Sequence, residues 1–314
     1  MASNEKVLTI IDNVEKVIVG KKGVIKLLLC CLLSEGHALL EDVPGLGKTM
    51  LARSLALSID SHFRRIQFTP DLLPTDVTGV NIFNMKNGEF EFKPGPIFAN
   101  IVLADEINRA SPRTQSALLE CMEEYRVSID GITYMLQRPF MVIATQNPIE
   151  MGGTYPLPEA QLDRFLMKIH VGYPDKAEEV EILTEQMQRH PIETLSAVVT
   201  LEDVQYMIDA VKTIAISEEI KHYIVAISEA TRINEEIALG VSPRGSLALM
   251  KTSRAYACID GRDYITPDDV KLLTPYVLAH RLHLTPSILL KDKHPEEVIA
   301  DILARVPVPV SPVQ

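Results

Sequence analysis

The sequence contains no tryptophan, and only 5% of its 314 residues are aromatic. Aromatic side chains bury more area each than most others, so a chain poor in them must build its core differently. Hydrophobic residues still make up 46% of the chain and charged residues 23%, which excludes a mainly disordered or collagen-like chain. We therefore expect cores of Leu, Ile, Val and Ala, and the length predicts two domains.

Cysteine is also scarce, and the four cysteines, Cys30, Cys31, Cys121 and Cys258, include no CxxC pair. This spacing argues against a disulfide framework and against a cysteine-rich zinc site. Cys30 and Cys31 lie inside the apolar run at 27–33, which is too short to cross a bilayer that needs about 20 residues. The pattern is typical of buried thiols in a reducing compartment.

The N-terminal segment lacks the features of an export signal. A signal peptide has a charged segment followed by a continuous apolar stretch, and residues 1–22 do not follow that pattern. Together with the cysteines, this predicts a cytoplasmic protein without a transmembrane segment.

The chain also has no excess of positive charge. The 31 basic residues are outnumbered by 42 acidic ones, which gives a formal net charge of −11. A surface that binds nucleic acid throughout is therefore excluded, although a local basic patch is not. An anionic ligand stays compatible with this charge, because backbone N–H groups bind phosphate without net positive charge.

The first half of the chain alternates between helical and strand patterns. Residues 5–35 predict two helices with a break at Val19-Gly20, and a short strand at 38–40 leads into a Gly/Pro loop and a helix. Continuous apolar runs at 100–104 and 140–144 are typical of buried parallel strands. This alternation predicts an α/β domain with a parallel sheet and flanking helices.

Two insertions interrupt that pattern. Asn87-Gly88 and Asp130-Gly131 each lie between alternating runs, a strong signal for a β-hairpin. We expect hairpins at about 76–93 and 126–138, a helix from Ser111, and a Pro/Gly-rich loop at 148–158.

After Tyr173-Pro174 the pattern becomes helical, with a capping-box-like start at Thr266. The predicted domains are an α/β domain at 1–173, a small helical lid at 174–290, and a C-terminal helix with a Pro-rich tail at 291–314.

The segment Pro44-Gly45-Leu46-Gly47-Lys48-Thr49 predicts a phosphate-binding loop. In such a loop the backbone N–H groups surround the phosphates, the lysine reaches the β- and γ-phosphates, and the threonine ligates Mg²⁺. The full motif has glycine six residues before the lysine, where this chain has Asp42. Read alone, the segment could also be a glycine-rich turn with a surface lysine.

The second predicted element is the strand at 101–104 that ends in Asp105 and Glu106. Ligands of open α/β sheets bind at the carboxyl ends of the strands. There, Asp105 would hold Mg²⁺ through water, and Glu106 would act as general base on the attacking water. By itself, an acidic pair at this position is more often a solvated strand end.

Three further residues are candidates for contacts with the γ-phosphate. Asn147 follows the strand at 140–144 and could orient the water, although Asn-Pro is also a common start of a turn. Arg164 and Arg244 could stabilise the charge that develops on the transferred phosphoryl group. Either arginine could equally form a surface ion pair worth about 0–1 kcal/mol.

Over roughly residues 5–290 the sequence resembles the AAA+ ATPases, and within them the MoxR family. The most specific similarity lies in two long stretches, and the phosphate loop is less specific. The stretches that carry the resemblance are 17–22, 39–49, 67–79, 95–124, 144–165 and 241–245. The departure at Asp42 matters less for this family, which does not depend on glycine there.

The resemblance implies an assignment for each site residue. Lys48 with Thr49 is similar to Walker A, Asp105 with Glu106 to Walker B, and Asn147 to sensor 1. It implies that Arg164 is an arginine finger for a neighbouring subunit, and that Arg244 is sensor 2, acting on the ATP of its own subunit. The residues implied to contact the nucleotide are Val19, Gly20, Pro44, Gly45, Leu46, Gly47, Lys48, Thr49 and Met50.

The resemblance also implies function and partners. Expected are ATP and Mg²⁺ as cofactors and a ring of this chain, with six subunits, that remodels or matures client proteins by ATP hydrolysis. Family members act as chaperones, including in metal-cofactor insertion, with a von Willebrand factor A-domain protein. Because this sequence ends soon after the lid, we expect that domain on another polypeptide. The two hairpins are expected on the pore or partner side of the ring.

Four other interpretations compete with this one. An AAA+ protein acting on nucleic acid is opposed by the net charge, and a magnesium-chelatase-like motor subunit is closer but not separable from the sequence. A nucleotide-binding scaffold without hydrolysis would have no use for Glu106, Asn147 and the arginines. A small-molecule kinase would need an acceptor pocket that the sequence does not indicate.

Overall fold

The computed structural model describes residues 2–147, 154–185 and 191–309. Parts of the predicted 148–158 loop and of the Pro-rich tail lie outside these ranges. Helices of the N-terminal half precede, follow and flank the strands, as the alternating pattern predicts. They are α1 (Ala2–Glu15), α2 (Lys22–Leu33), α3 (Lys48–Ser58), α4 (Pro74–Thr78), α5 (Pro112–Glu124) and α6 (Glu159–Leu162).

Five parallel strands form the central sheet, in the spatial order β2-β5-β8-β1-β9. The carboxyl ends of the three middle strands therefore meet at one edge, where the sequence places the phosphate loop and the acidic pair. The strands are β1 (Ala38–Glu41), β2 (Phe63–Gln67), β5 (Ile101–Asp105), β8 (Met141–Gln146) and β9 (Met167–Ile169).

Both faces of the sheet are covered, which explains why its strands read as continuous apolar runs. In β5, Ile101 and Leu103 point into one hydrophobic core, and Val102 and Ala104 point into the other. The first core lies under α1, α2 and α3 and continues into the C-terminal helices, and the second lies under α5. The predicted aliphatic core is confirmed.

Both predicted hairpins are present. The first pairs β3 (Gly79–Asn84) with β4 (Glu89–Pro94), and the second pairs β6 (Arg126–Ile129) with β7 (Ile132–Met135). The second turn places both Asp130 and Gly131 at positive φ, as a two-residue type I′ turn requires.

Aromatic side chains join the two hairpins. The Phe92 ring stacks on Tyr134 with a centroid distance of 4.1 Å, and Phe98 packs edge-on against Phe92 at 5.5 Å. The Asn81 amide also donates to Asp130 Oδ2 at 2.6 Å. The hairpins therefore form one connected projection.

The chain after β9 is mainly helical, and α10 packs against α2, α9 and α11. The capping box predicted at Thr266 is present, because Thr266 and Asp269 exchange hydrogen bonds at the start of α11. The exact domain boundaries stay a prediction. The helices are α7 (Lys176–Glu185), α8 (Leu201–Thr213), α9 (Glu218–Ile233), α10 (Pro243–Ile259), α11 (Pro267–Leu278), α12 (Pro286–Leu289) and α13 (Pro295–Arg305).

A short antiparallel ribbon of β10 (Ile237–Leu239) and β11 (His283–Leu284) accompanies these helices. All four cysteines are buried free thiols, as predicted. Within the described ranges, no helix combines the length and the hydropathy that crossing a bilayer requires.

Candidate functional site: a nucleotide cavity and an arginine cluster

The predicted phosphate loop connects β1 to the first turn of α3. Gly45 and Gly47 have φ values of +90° and +74°, which residues with a Cβ rarely adopt, so glycine is required at these turns. Helix α3 begins at Lys48, directly after Gly47, and its free N–H groups face the loop. This arrangement binds anions, because the N–H groups and the helix dipole both favour negative charge.

Lys48 lies over this loop and is partly buried. Its ammonium donates to the backbone carbonyl of Asp42 at 2.6 Å. Burial lowers the pKa of Lys48 below its usual value, and the negative charges of Asp42, Asp105 and Glu106 oppose that shift. A phosphate placed at the loop would satisfy the ammonium more strongly than this carbonyl does.

Asp42 has a structural role that explains the departure from glycine. Its Oδ2 accepts hydrogen bonds from the backbone N–H groups of Val171 and of Gly172, the latter at 3.2 Å. These residues follow β9 and lead towards the helical region. The carboxylate therefore ties the start of the phosphate loop to the exit of the last strand.

Asp105 ends β5 and is fixed on both carboxylate oxygens. Thr145 of the neighbouring β8 donates to Oδ1 at 2.6 Å, and Arg65 of β2 donates twice to Oδ2, at 3.0 and 2.7 Å. The Thr145 hydroxyl also accepts the backbone N–H of Glu106 at 2.8 Å. Three adjacent strands thus hold the acidic pair.

Glu106 has a left-handed backbone, with φ +57° and ψ +50°. Such a conformation costs on the order of 1 kcal/mol for a residue other than glycine and is frequent at functional sites. Gln67 donates to its Oε2 at 2.7 Å, and Arg109 donates to the same oxygen at 3.2 Å.

The sequence reasoning missed Arg65, Gln67, Thr145 and Arg109. Arg65 and Gln67 lie in β2, which was not predicted as a strand. In register, Gln67 pairs with Asp105, so identifying that strand would have placed both residues at the site.

One cavity of about 350 Å³ brings most of the predicted site together. Asn147 is buried in its wall, at the end of β8. The residues that line it are Pro44, Gly45, Gly47, Lys48, Thr49, Met50, Asp105, Glu106, Thr145 and Asn147.

A second, more apolar pocket of about 160 Å³ adjoins the other side of the phosphate loop. Val19 lies in this pocket with Leu46 and Met50, and Gly172 and Ile182 close it from the C-terminal side. Gly20 does not line it. Its backbone has φ +73° and passes so close to Glu178 that a Cβ would lie 1.8 Å from Oε1.

Arg164 is held by the last turns of α5, away from the cavity over Lys48. Its Nη1 donates to the carbonyl of Leu119 at 2.7 Å and lies 2.9 Å from Glu123 Oε2. Arg244 contacts the other oxygen of the same carboxylate at 3.3 Å, and its Nε lies 3.7 Å from Asp163 Oδ2.

Arg244 lies in a different part of the structure from the cavity over Lys48. The resemblance implies that it acts as sensor 2 on the ATP of its own subunit, whereas the described residues that line this cavity do not include Arg244. It lines instead a different pocket, of about 240 Å³, together with Arg164. Arg244 lies in the first turn of α10, and its side chain reaches Glu123 near the end of α5 and Asp163 after α6.

A third arginine, Arg281, belongs to the same group and was missed by the sequence reasoning. Its side chain is only 4% exposed, and its Nε donates to Asp163 Oδ1 at 2.8 Å. We call Arg164, Arg244 and Arg281, with Glu123 and Asp163, the arginine cluster.

The residues in the nucleotide cavity fit a magnesium ion. The Thr49 hydroxyl and the Asp105 carboxylate are hard oxygen ligands in one cavity, which is the chemistry that Mg²⁺ prefers. Among the described residues, no group of three or more His, Cys, Asp or Glu could enclose a metal by itself. Mg²⁺ commonly binds through one or two protein groups together with substrate phosphates, so these two residues suffice.

Two family models match the chain. Residues 37–167 match the model described as "ATPase family associated with various cellular activities (AAA)", and residues 229–302 match an AAA lid domain. The first covers four of the five strands of the central sheet and the cavity over Lys48, and the second covers α10 to α12 and most of α13.

Curated relatives and a solved structure agree with these matches. The chain is 54% identical to YeaC of Bacillus subtilis (strain 168), over 96% of this chain and 94% of the relative. It is 43% identical to Chaperone MoxR1 of Mycobacterium tuberculosis (strain ATCC 25618 / H37Rv), over 95% and 81%. A crystal structure of a candidate ATPase from Cytophaga hutchinsonii superposes with a TM-score of 0.92 at 41% identity, covering 98% of this chain and 96% of that one. The fold, its site and these relatives together show that the chain belongs to the MoxR family of AAA+ ATPases.

Proposed function

We propose that this protein hydrolyses ATP with Mg²⁺. The observation that carries the proposal is the single cavity that joins Lys48, Thr49, Asp105, Glu106 and Asn147 at the carboxyl edge of the sheet. Phosphoryl transfer to water needs a cation, ligands for the metal, a general base and an amide that orients the water. Catalysis of this reaction comes mostly from holding these groups in the right positions.

The phosphate loop would bind the triphosphate, with Lys48 exchanging the Asp42 carbonyl for the β- and γ-phosphate oxygens. The adenine ring would bind in the adjoining pocket around Val19, because this pocket lies beside the phosphate loop and is lined mainly by apolar side chains. Thr49 and Asp105 would hold Mg²⁺, which neutralises charge that develops on the phosphate oxygens.

Glu106 would take the proton of the attacking water on a carboxylate oxygen, while the Asn147 amide orients that water. Gln67 and Arg109 both donate to Glu106 Oε2, and these two hydrogen bonds fix the orientation of the carboxylate.

We propose that Arg164 and Arg244 act on the ATP of a neighbouring subunit. Arg164 and Arg244 share Glu123 and line a pocket other than the one over Lys48, so one subunit cannot easily apply them to its own nucleotide. A contact that places one subunit's arginines at the next subunit's cavity is heterologous, and such contacts close into rings. The proposed assembly is a hexamer, as the family resemblance implies.

Client remodelling is the proposed use of the hydrolysis energy. The name Chaperone MoxR1, carried by a relative, supports a chaperone-like role. The hairpin projection supports contacts with other proteins, because several of its large hydrophobic side chains are exposed. These are Ile82, Phe83, Met85, Phe90, Ile132 and Met135.

The further parts of this proposal concern partners and location. We propose a separate von Willebrand factor A-domain protein as partner, and maturation of clients, including metal-cofactor insertion, as the process. We place it in the cytoplasm, which the four free, buried thiols support.

The test is the ATPase rate per subunit, measured with Mg²⁺ as protein concentration is raised. The wild type should show a rate that climbs steeply with concentration, because its sites are completed between subunits. Arg164→Ala should abolish that rise, whereas Arg305→Ala, which removes an exposed arginine of α13, should preserve it. A rate that does not depend on concentration, or on Arg164, would overturn the ring mechanism.

Glu106→Gln tests the assigned base in the same assay. It should bind ATP normally and turn over at least about a hundredfold more slowly, the usual contribution of a general base. Full turnover by this variant would show that another group takes the proton.

A further inference from the structure

Arg281 is the buried member of the arginine cluster. It lies in the turn at 279–281 that follows α11, so it belongs to the helical region and not to the sheet. Its hydrogen bonds, however, reach back to the segment between α6 and β9. A buried charged side chain with so many partners across two regions holds their relative position.

The contacts converge on the residues that flank Arg164. Besides its bond to the Asp163 carboxylate, Arg281 Nη2 donates to the carbonyl of Phe165 at 2.7 Å and lies 3.4 Å from the carbonyl of Asp163. Its Nη1 donates to the carbonyl of Leu166 at 3.3 Å. The backbone on both sides of Arg164 is thus fixed by one guanidinium from the helical region.

The helix α10 also approaches this guanidinium. A Cβ on Gly245 would lie 3.4 Å from Arg281 Cδ, which is close to ordinary van der Waals contact, and it would clash with Val241 Cγ1 just before the start of the helix. Because Arg244 precedes Gly245, a shift of α10 would move Arg244 and press on Arg281 at the same time.

We propose that Arg281 is a positioning residue for Arg164, through which the lid of one subunit controls ATP hydrolysis in its neighbour. This inference rests on the proposed function, in which Arg164 acts between subunits. A displacement of about 1 Å in a catalytic group costs up to a hundredfold in rate, so holding the backbone around Arg164 is sufficient for control.

The experiment separates the subunit that donates Arg164 from the subunit that accepts it. Glu106→Gln subunits cannot turn over their own ATP but keep Arg164, and Arg164→Ala subunits keep a complete cavity but donate no arginine. Each variant alone should be nearly inactive, and a mixture of both should recover activity at the sites where a donor meets an acceptor.

Arg281→Lys is then added to one partner at a time. Lysine keeps the charge but loses the planar fork that reaches several carbonyls. On the donor it should reduce the recovered rate by about tenfold or more. On the acceptor, whose own Arg164 is already absent, it should leave that rate within about twofold. A general loss of structure would lower both arms equally, and that result, or no loss in either arm, overturns the proposal.

Arg262→Lys is the matched control. The Arg262 guanidinium forms bidentate hydrogen bonds, of 2.7 and 2.6 Å, with the Asp269 carboxylate, and both residues belong to the lid. It should affect donor and acceptor alike. If Arg281→Lys does not fold by circular dichroism, Asp163→Asn takes its place and should show the same donor-specific loss. Failure of the unmodified mixture to recover activity would overturn the ring proposal and this inference together, whereas recovery without a donor-specific loss overturns this inference alone.

Discussion

His37 connects three parts of the α/β domain although its side chain is fully buried. Its Nε2 lies 2.9 Å from the carbonyl of Met122 at the end of α5, and its Nδ1 accepts the backbone N–H of Val142 in β8 at 3.0 Å. Both contacts are satisfied by the neutral ring with its proton on Nε2. Burial lowers the pKa of His37 from 6.5 to about 4, and the Met122 contact opposes that shift.

This pKa shift predicts a loss of stability in mild acid. Above pH 6.5 neither the folded nor the unfolded His37 binds a proton, so its contribution is complete. Between pH 6.5 and 4, His37 of the unfolded chain becomes protonated while the buried ring of the folded chain stays neutral. The free energy of unfolding therefore decreases by about 3 kcal/mol by pH 4. Urea unfolding at several pH values should show a loss smaller by about that amount in His37→Gln.

His222→Gln, which changes an exposed histidine of α9, should keep the wild-type pH dependence. Equal pH profiles for the wild type and His37→Gln would contradict the assignment of the buried neutral ring.

The site residues that sequence could predict share one property: each follows a recognisable strand or loop. Lys48 ends the glycine-rich loop that follows β1, Asp105 comes directly after the apolar run at 101–104, and Asn147 follows the run at 140–144 after two polar residues. Parallel strands bring such positions to one edge. Gln67 and Arg281 could not be found in this way. Gln67 lies in a strand with no apolar pattern, and the hydrogen bonds of Arg281 join two regions distant in sequence.

At the scale of elements, the start of α11 offers a direct test of capping. The Thr266 hydroxyl accepts the N–H of Asp269 at 3.4 Å and donates to its carboxylate at 2.8 Å, while Asp269 accepts the N–H of Thr266 at 2.7 Å. Thr266→Ala should destabilise the protein by about 1 kcal/mol, the typical cost of losing a cap. Denaturant unfolding would measure this loss.

Thr285→Ala provides the comparison, because Thr285 precedes the short α12 without a capping hydrogen bond from its side chain. It should cost less than about 0.5 kcal/mol. If the two threonines cost the same, the capping box would not be the source of the stability at Thr266.

Secondary structure was predicted correctly where neighbouring residues determine it, and was missed where a strand forms mainly through its pairing in the sheet. The hairpin around Asp130-Gly131 needs only its turn residues and alternating flanks. By contrast, β2 carries two exposed arginines because it lies at the edge of the sheet, so its sequence looks unlike a buried strand. Similarly, β9 has three residues and gains its identity only by pairing with β1.

At the scale of the whole molecule, the net charge of −11 predicts weak contact with nucleic acid. Binding without sequence preference comes almost entirely from basic side chains that neutralise phosphates. Fluorescence anisotropy with labelled single- and double-stranded DNA should show no binding at micromolar protein in about 0.15 M salt. A fluorescent ATP analogue titrated into the same sample verifies that the protein is active. A salt-dependent Kd below about 1 μM would favour the nucleic-acid-acting alternative.

The separation of the Lys48 cavity from the arginine cluster has a consequence for the arithmetic of assembly. If each active site is shared between two neighbours, as proposed, an open chain of subunits has a cavity without arginines at one end and arginines without a cavity at the other. The fraction of incomplete sites is therefore highest in short open oligomers, and every site is complete only in a closed ring. Under this proposal a subunit that lacks Arg164 would silence its neighbour's site and not its own, so one such subunit in a closed ring would remove one active site.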